Sequence, residues 1–167
     1  MLSASPNTTH AALDDLLNQL QIIEQQSPHS PLAIYVPSEA HAGFYHGLCQ
    51  FYLAASYLQR SRIRTAVSDK QGVLNNLLGY IYGLADRVRE TRSNDWLRIG
   101  LAAASIRGDG PDYRDFLLAL TELYVAAEEA GLDPKSEFAA MCGGVPTDFD
   151  TYAVLRERHA DIKRGKT

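Results

Sequence analysis

The stretch VLNNLLGYIYGLADRV, residues 73–88, decides the fold of this 167-residue chain. Its apolar positions are Val73, Leu74, Leu77, Leu78, Ile81, Leu84, Ala85 and Val88. They recur in steps of three and four, the period of an α-helix and not the alternation of a strand. Working outward, no proline interrupts the chain between Pro37 and Pro111. Proline breaks a helix interior, so this span admits long helices. Leu and Ala dominate it and β-branched residues are few, which favours helix over sheet.

Upstream, Leu13, Leu16, Leu17, Leu20 and Ile23 form a stripe at helical spacing, predicting a helix over 9–26 capped by Thr8 or Thr9. Residues 27–37 read as a proline-bearing connector. Ser38 is expected to cap a long second helix over 38–64. One stripe on it is Phe44, Leu48, Phe51, Ala55 and Leu58; Tyr45, Cys49 and Tyr52 form another beside it, so two sides should be buried. Arg60, Arg62 and Arg64 gather at its end, where cations oppose the helix dipole. Ser68 and Gln71 have the spacing of a capping box ahead of a third helix to about residue 92.

Downstream, Ser93 or Asn94 should cap a fourth helix over 95–106, followed by a turn at 108–111. Pro111 or Asp112 opens a fifth, which Gly131 closes as a left-handed glycine. Asp133 and Pro134 open a short sixth, ended by Gly143 and Gly144, and Thr147 caps a seventh. The expected fold is all-α: one helical domain over 1–167, about seven antiparallel helices, with flexible tails at 1–8 and 163–167. The third to sixth helices read as two hairpins offset by roughly 40 residues, so HEAT-like hairpins and an irregular bundle are both open.

Length and composition suit a globular domain with its own core. The two cysteines, Cys49 and Cys142, follow no metal or redox spacing and point to a reducing compartment. The first nine residues show no secretory pattern and no run approaches a membrane span, so a cytoplasmic location is expected. Net charge is −4, but it is segmental. Residues 60–107 hold nine basic and four acidic groups, whereas residues 108–155 hold two basic and ten acidic. The basic middle and acidic third can pair within one fold or between copies.

Four glycines stand inside predicted helices, Gly43 and Gly47 in the second and Gly79 and Gly83 in the third. Each costs about 1 kcal/mol against alanine there. Small residues one turn apart let backbones approach closely. That contact can lie between these two helices, in a homodimer, or in a groove that receives a ligand. Glu39, His41, His46 and Cys49 lie near one another, but a closed metal site needs four ligands and the spacing is wrong, so no metal is expected.

Asp95, Trp96, Arg98, Asp112, Tyr113, Arg114 and Asp115 make the densest polar and aromatic segments, both at predicted helix starts. They read as caps and interhelical salt bridges, or as an interaction site or polar pocket centred on Arg98, Asp112 and Arg114. Tyr45, Tyr52, Tyr57, Tyr80, Tyr82, Tyr113 and Tyr124 suit core edges individually and a recognition surface as a set. Neither phosphate-loop, dinucleotide, zinc-protease nor serine-hydrolase motifs occur, and the acidic balance argues against nucleic acid. No cofactor is expected.

Two runs, DWLRIGLAAASI at 95–106 and DYRDFLLALTELYVAAEEAGLDP at 112–134, resemble a family of small, uncharacterised all-helical bacterial proteins. The resemblance spans residues 95–134 only. It implies a helical fold and a bacterial, cytoplasmic origin, and brings no activity or catalytic residue. Together these readings point to a non-enzymatic module that binds another protein through a helical face. The alternatives are a small-ligand binder or enzyme with a polar interhelical pocket, and a structural homodimer.

Overall fold

Helical periodicity becomes seven helices, with no strand, among the described residues of the computed structural model. Those residues are 9–27, 38–107 and 113–141, with side chains described for all but 113–117. The helices are α1 (His10–Gln26), α2 (Glu39–Ala54), α3 (Tyr57–Val67), α4 (Gln71–Thr91), α5 (Asn94–Arg107), α6 (Tyr113–Glu129) and α7 (Pro134–Met141). The connector at 28–37, the turn at 108–112 and the helix expected from Thr147 lie outside the described residues.

The helices form two layers. In one, α4 lies between α1 and α6; in the other, α5 packs against α2, α3 and α7. The α4–α5 contact joins the layers. Consecutive hairpins therefore lie side by side, α4–α5 against α6–α7. Most of α4 is buried, from Gly72 through Ile81, and then at Leu84, Ala85 and Val88. Helix α5 is buried almost all round because its middle is Gly100, Leu101, Ala102, Ala103 and Ala104. Small side chains let α4 and α6 both reach it. Gly100 is the clearest case: a Cβ there would stand 2.8 and 2.9 Å from the two δ-methyls of Leu123 on α6.

The caps explain most boundaries. Thr9 accepts a hydrogen bond from the Ala12 N–H, and Ser38 accepts from the His41 N–H. Ser93 Oγ accepts from Asp95 N–H at 3.1 Å, and Asp133 caps α7 by accepting from Ser136 N–H. Gly131 takes the left-handed conformation (φ 79°) that closes α6, with the Leu132 N–H returning to the Ala127 carbonyl.

Two expectations are corrected. The helix expected over 38–64 is two helices. Ser56 and Gln59 form a capping box, each side chain bonded to the other's backbone N–H, and this starts α3 afresh. Arg60 satisfies the carbonyls exposed by the break. Its Nε donates to Tyr52 O at 2.7 Å, its Nη2 to Leu53 O at 2.9 Å, and its Nη1 to Met141 O at the end of α7. Nor is Ser68 the cap of α4: it closes α3, its hydroxyl donating to the Thr65 carbonyl.

Helix α4 has no local side-chain cap at Lys70. Its cap comes from α1: the Glu24 carboxylate accepts the Val73 N–H at 2.9 Å. Ser27 adds a second tie, accepting from the buried Asn76 amide at 2.8 Å. A carboxylate at a helix N-terminus meets both open N–H groups and the positive pole of the dipole. Replacing Glu24 with alanine should therefore lower stability by about 1 kcal/mol. Glutamine keeps an acceptor and should cost only about half as much. Urea unfolding of the three proteins measures the difference.

Candidate functional site

Three of the glycines, Gly43, Gly79 and Gly83, meet in a groove of about 440 Å³ between α2 and α4, beside the first turn of α5. Ala42 and Gly43 contribute from α2, and Gly79 and Gly83 from α4. Tyr80 and Leu84 add apolar wall, and Trp96 closes one side. Steps of four place Gly79, Gly83 and Arg87 on one face of α4, and steps of three and four place Gly43, His46 and Gly47 on one face of α2.

Gly43, Gly47 and Gly83 do not serve contact between these two helices, whereas Gly79 is buried. A Cβ built on Gly43, Gly47 or Gly83 would meet nothing within 4 Å. Gly43 and Gly83 are exposed and Gly47 half-buried. Their small size leaves open space, in contrast to Gly100, whose space Leu123 fills.

The polar groups gather around Trp96. The Arg87 guanidinium carbon lies 4.5 Å from the Trp96 ring centre, and the His46 ring centre 5.3 Å from it. His46 Nδ1 is hidden from solvent and has no hydrogen-bond partner among the described residues. Arg87 makes no ion pair among the described residues. Arg89, two residues on, is committed instead: its side chain reaches Glu122 at 2.6 Å and Glu129 at 2.8 Å. Burial pulls the Arg89 pKa down, and the bonds to Glu129 and Glu122 outweigh it and hold it above its ordinary value. Burial likewise raises the Tyr80 phenol above the usual tyrosine range, so it stays neutral in the groove wall. The thiol of Cys49, fully buried on the inner face of α2, is raised by the same cause.

Of the residues singled out in sequence, Asp95, Trp96 and Arg98 come together. They line a more polar depression of about 430 Å³ on the far side of Trp96, with His46, Gln50 and Ser93. Arg98 is engaged there, bonded to Glu137 of α7 at 2.5 Å and Asp95 at 3.2 Å. The Arg98–Glu137 pair, with Arg89 to Glu122 and Glu129, joins the basic middle to the acidic third within one chain. Asp112 and the side chains of Tyr113, Arg114 and Asp115 lie outside the described residues. Among the tyrosines, Tyr45, Tyr52, Tyr80 and Tyr124 are buried, whereas Tyr57 is 77% exposed.

No group of three or more His, Cys, Asp or Glu among the described residues could hold a metal. None of the described helices is long and apolar enough to cross a membrane. Sequence reasoning missed Arg87 as a groove residue and named Tyr80 only as one of a set of tyrosines. The signal was there for Arg87, which continues the Gly79–Gly83 face by one more turn. Comparison with family models, curated proteins and solved structures finds no significant match for the chain.

Proposed function

We propose that this chain is a protein-interaction module that seats one α-helix of a partner protein in the groove between α2 and α4. The observation that carries the reading is the empty space over Gly43, Gly47 and Gly83. Each glycine inside a helix costs about 1 kcal/mol against alanine. The described fold draws no packing in return at these three positions. A neighbouring backbone that must come close is the physical use such positions have. The trough is open along its side and apolar, with Gly43 on one wall and Gly79 and Gly83, one turn apart, on the other. That shape fits a rod whose near face carries small side chains. Trp96 at its edge supplies the rigid aromatic surface common in binding hot spots.

The test is differential capture by the full chain, immobilised and exposed to lysate of its native source. The expected result is a protein held by the wild type and by the exposed-site control Glu90→Gln, and lost by Gly83→Leu, which fills the trough. Cross-linking should then place a helical segment of that protein against α2 and α4. Equal capture by Gly83→Leu would remove the proposal.

A further inference from the structure

We infer that the helix received by this groove carries a carboxylate, which Arg87 and His46 take up beside Trp96; this rests on the docking reading above. The other interhelical arginines described next to this site are satisfied within the fold, Arg89 by Glu122 and Glu129 and Arg98 by Glu137 and Asp95. Arg87 differs. Its described partner is the face of Trp96, which holds the exposed guanidinium at the groove wall with no acceptor for its N–H groups among the described residues. His46, whose ring also packs against Trp96, adds a buried Nδ1 without a partner among the described residues. A buried polar atom left unbonded costs roughly 1–3 kcal/mol, so an anionic occupant that turns the His46 ring to bring a protonated Nδ1 into the groove gains that interaction.

Cation and orphan nitrogen flank one aromatic ring at one side of an otherwise apolar trough. The complementary group is an anionic acceptor on an apolar stem, which on a helix is a glutamate or aspartate next to small and aliphatic residues. Charge-assisted N–H···O bonds are about twice as strong as neutral ones, and the planar guanidinium can hold a carboxylate through two of them.

The chain has one tryptophan, so indole fluorescence reports on the surroundings of Trp96, which borders this groove and the polar depression beside it. The full-length protein is titrated with three fragments of equal chain length: hexanoate, hexylammonium and 1-hexanol. Amide shifts of Gly43 and Gly83 by NMR give a second readout. Hexanoate is expected to bind at least about tenfold more tightly than hexylammonium, the factor that one charge-assisted bond supplies. Arg87→Gln should remove most of the preference for hexanoate, with a melting temperature within about 4 °C of the wild type because Arg87 is exposed and gives up only its contact with the Trp96 ring. His46→Phe, which keeps a ring against Trp96, should weaken hexanoate and leave hexanol as it was. Gly83→Leu should abolish all three.

If the three fragments bind the wild type alike, the carboxylate inference falls and the docking reading stands. If none binds and the Gly43 and Gly83 signals stay fixed, both fall.

Discussion

Alanine at both Gly43 and Gly83 should raise the melting temperature by roughly 2–8 °C while weakening partner capture by at least about tenfold. The two effects have one origin. Within a helix, glycine is less stable than alanine by roughly 0.5–1 kcal/mol, because the unfolded chain loses more freedom at glycine. A methyl at either position meets nothing within 4 Å, so the folded chain takes it without strain. The fold therefore gains stability. The same methyls stand in the trough, where they push an approaching helix away from α2 and α4 and break the close contact that holds it. Calorimetry gives the first half and the capture assay the second. A variant that melts higher and captures as well as the wild type would mean that the glycines admit no backbone. One that melts lower would mean that the space over them is not open.

That prediction also shows how far the sequence could be read. The glycine spacing at 43, 47, 79 and 83 was visible, and so was their helical setting. Whether the faces turned inward or outward was not, since periodicity fixes a face without fixing what opposes it. The boundaries of α1, α5 and α6 were legible because their caps are local: Thr9, Ser93 and Gly131 act within a few residues of themselves. The break at Ala55 and Ser56 was hidden because Phe51, Ala55 and Leu58 continue a helical stripe across it. Leu58 does not follow that stripe inward: it is 73% exposed. The start of α4 could not be read locally either. Its cap is Glu24, 49 residues upstream, and only folding brings it there. Charge behaved in the same way. The opposite signs of 60–107 and 108–155 announced pairing, but which arginines were satisfied and which stood open depended on the layer contacts that put α6 beside α4 and α7 beside α5.

The α5–α6 crossing carries the other large effect. Leu123 is fully buried, and its δ-methyls occupy the space that the missing side chain of Gly100 provides. Leu123→Ala should cost about 2–5 kcal/mol, the lost transfer energy plus the cavity left behind. That lowers the melting temperature by on the order of 10 °C. Gly100→Ala alone sets two opposing terms against each other. Helix propensity favours it by about 1 kcal/mol, while the new methyl stands under 3.0 Å from Leu123 and overpacking costs about 1–3 kcal/mol. The δ-methyls are the mobile end of their side chain, but Leu123 has no exposed surface, so they can turn only by displacing neighbours. Overpacking should win, with a net loss near 1 kcal/mol. With Leu123→Ala already present the obstacle is gone and the added methyl enters the cavity. Gly100→Ala should then stabilise by about 1 kcal/mol or more. The change of sign between the two backgrounds is a coupling energy that urea unfolding of the four proteins can measure. Additive costs would show that Gly100 and Leu123 are not in contact, and the packing of the two layers would need a different key.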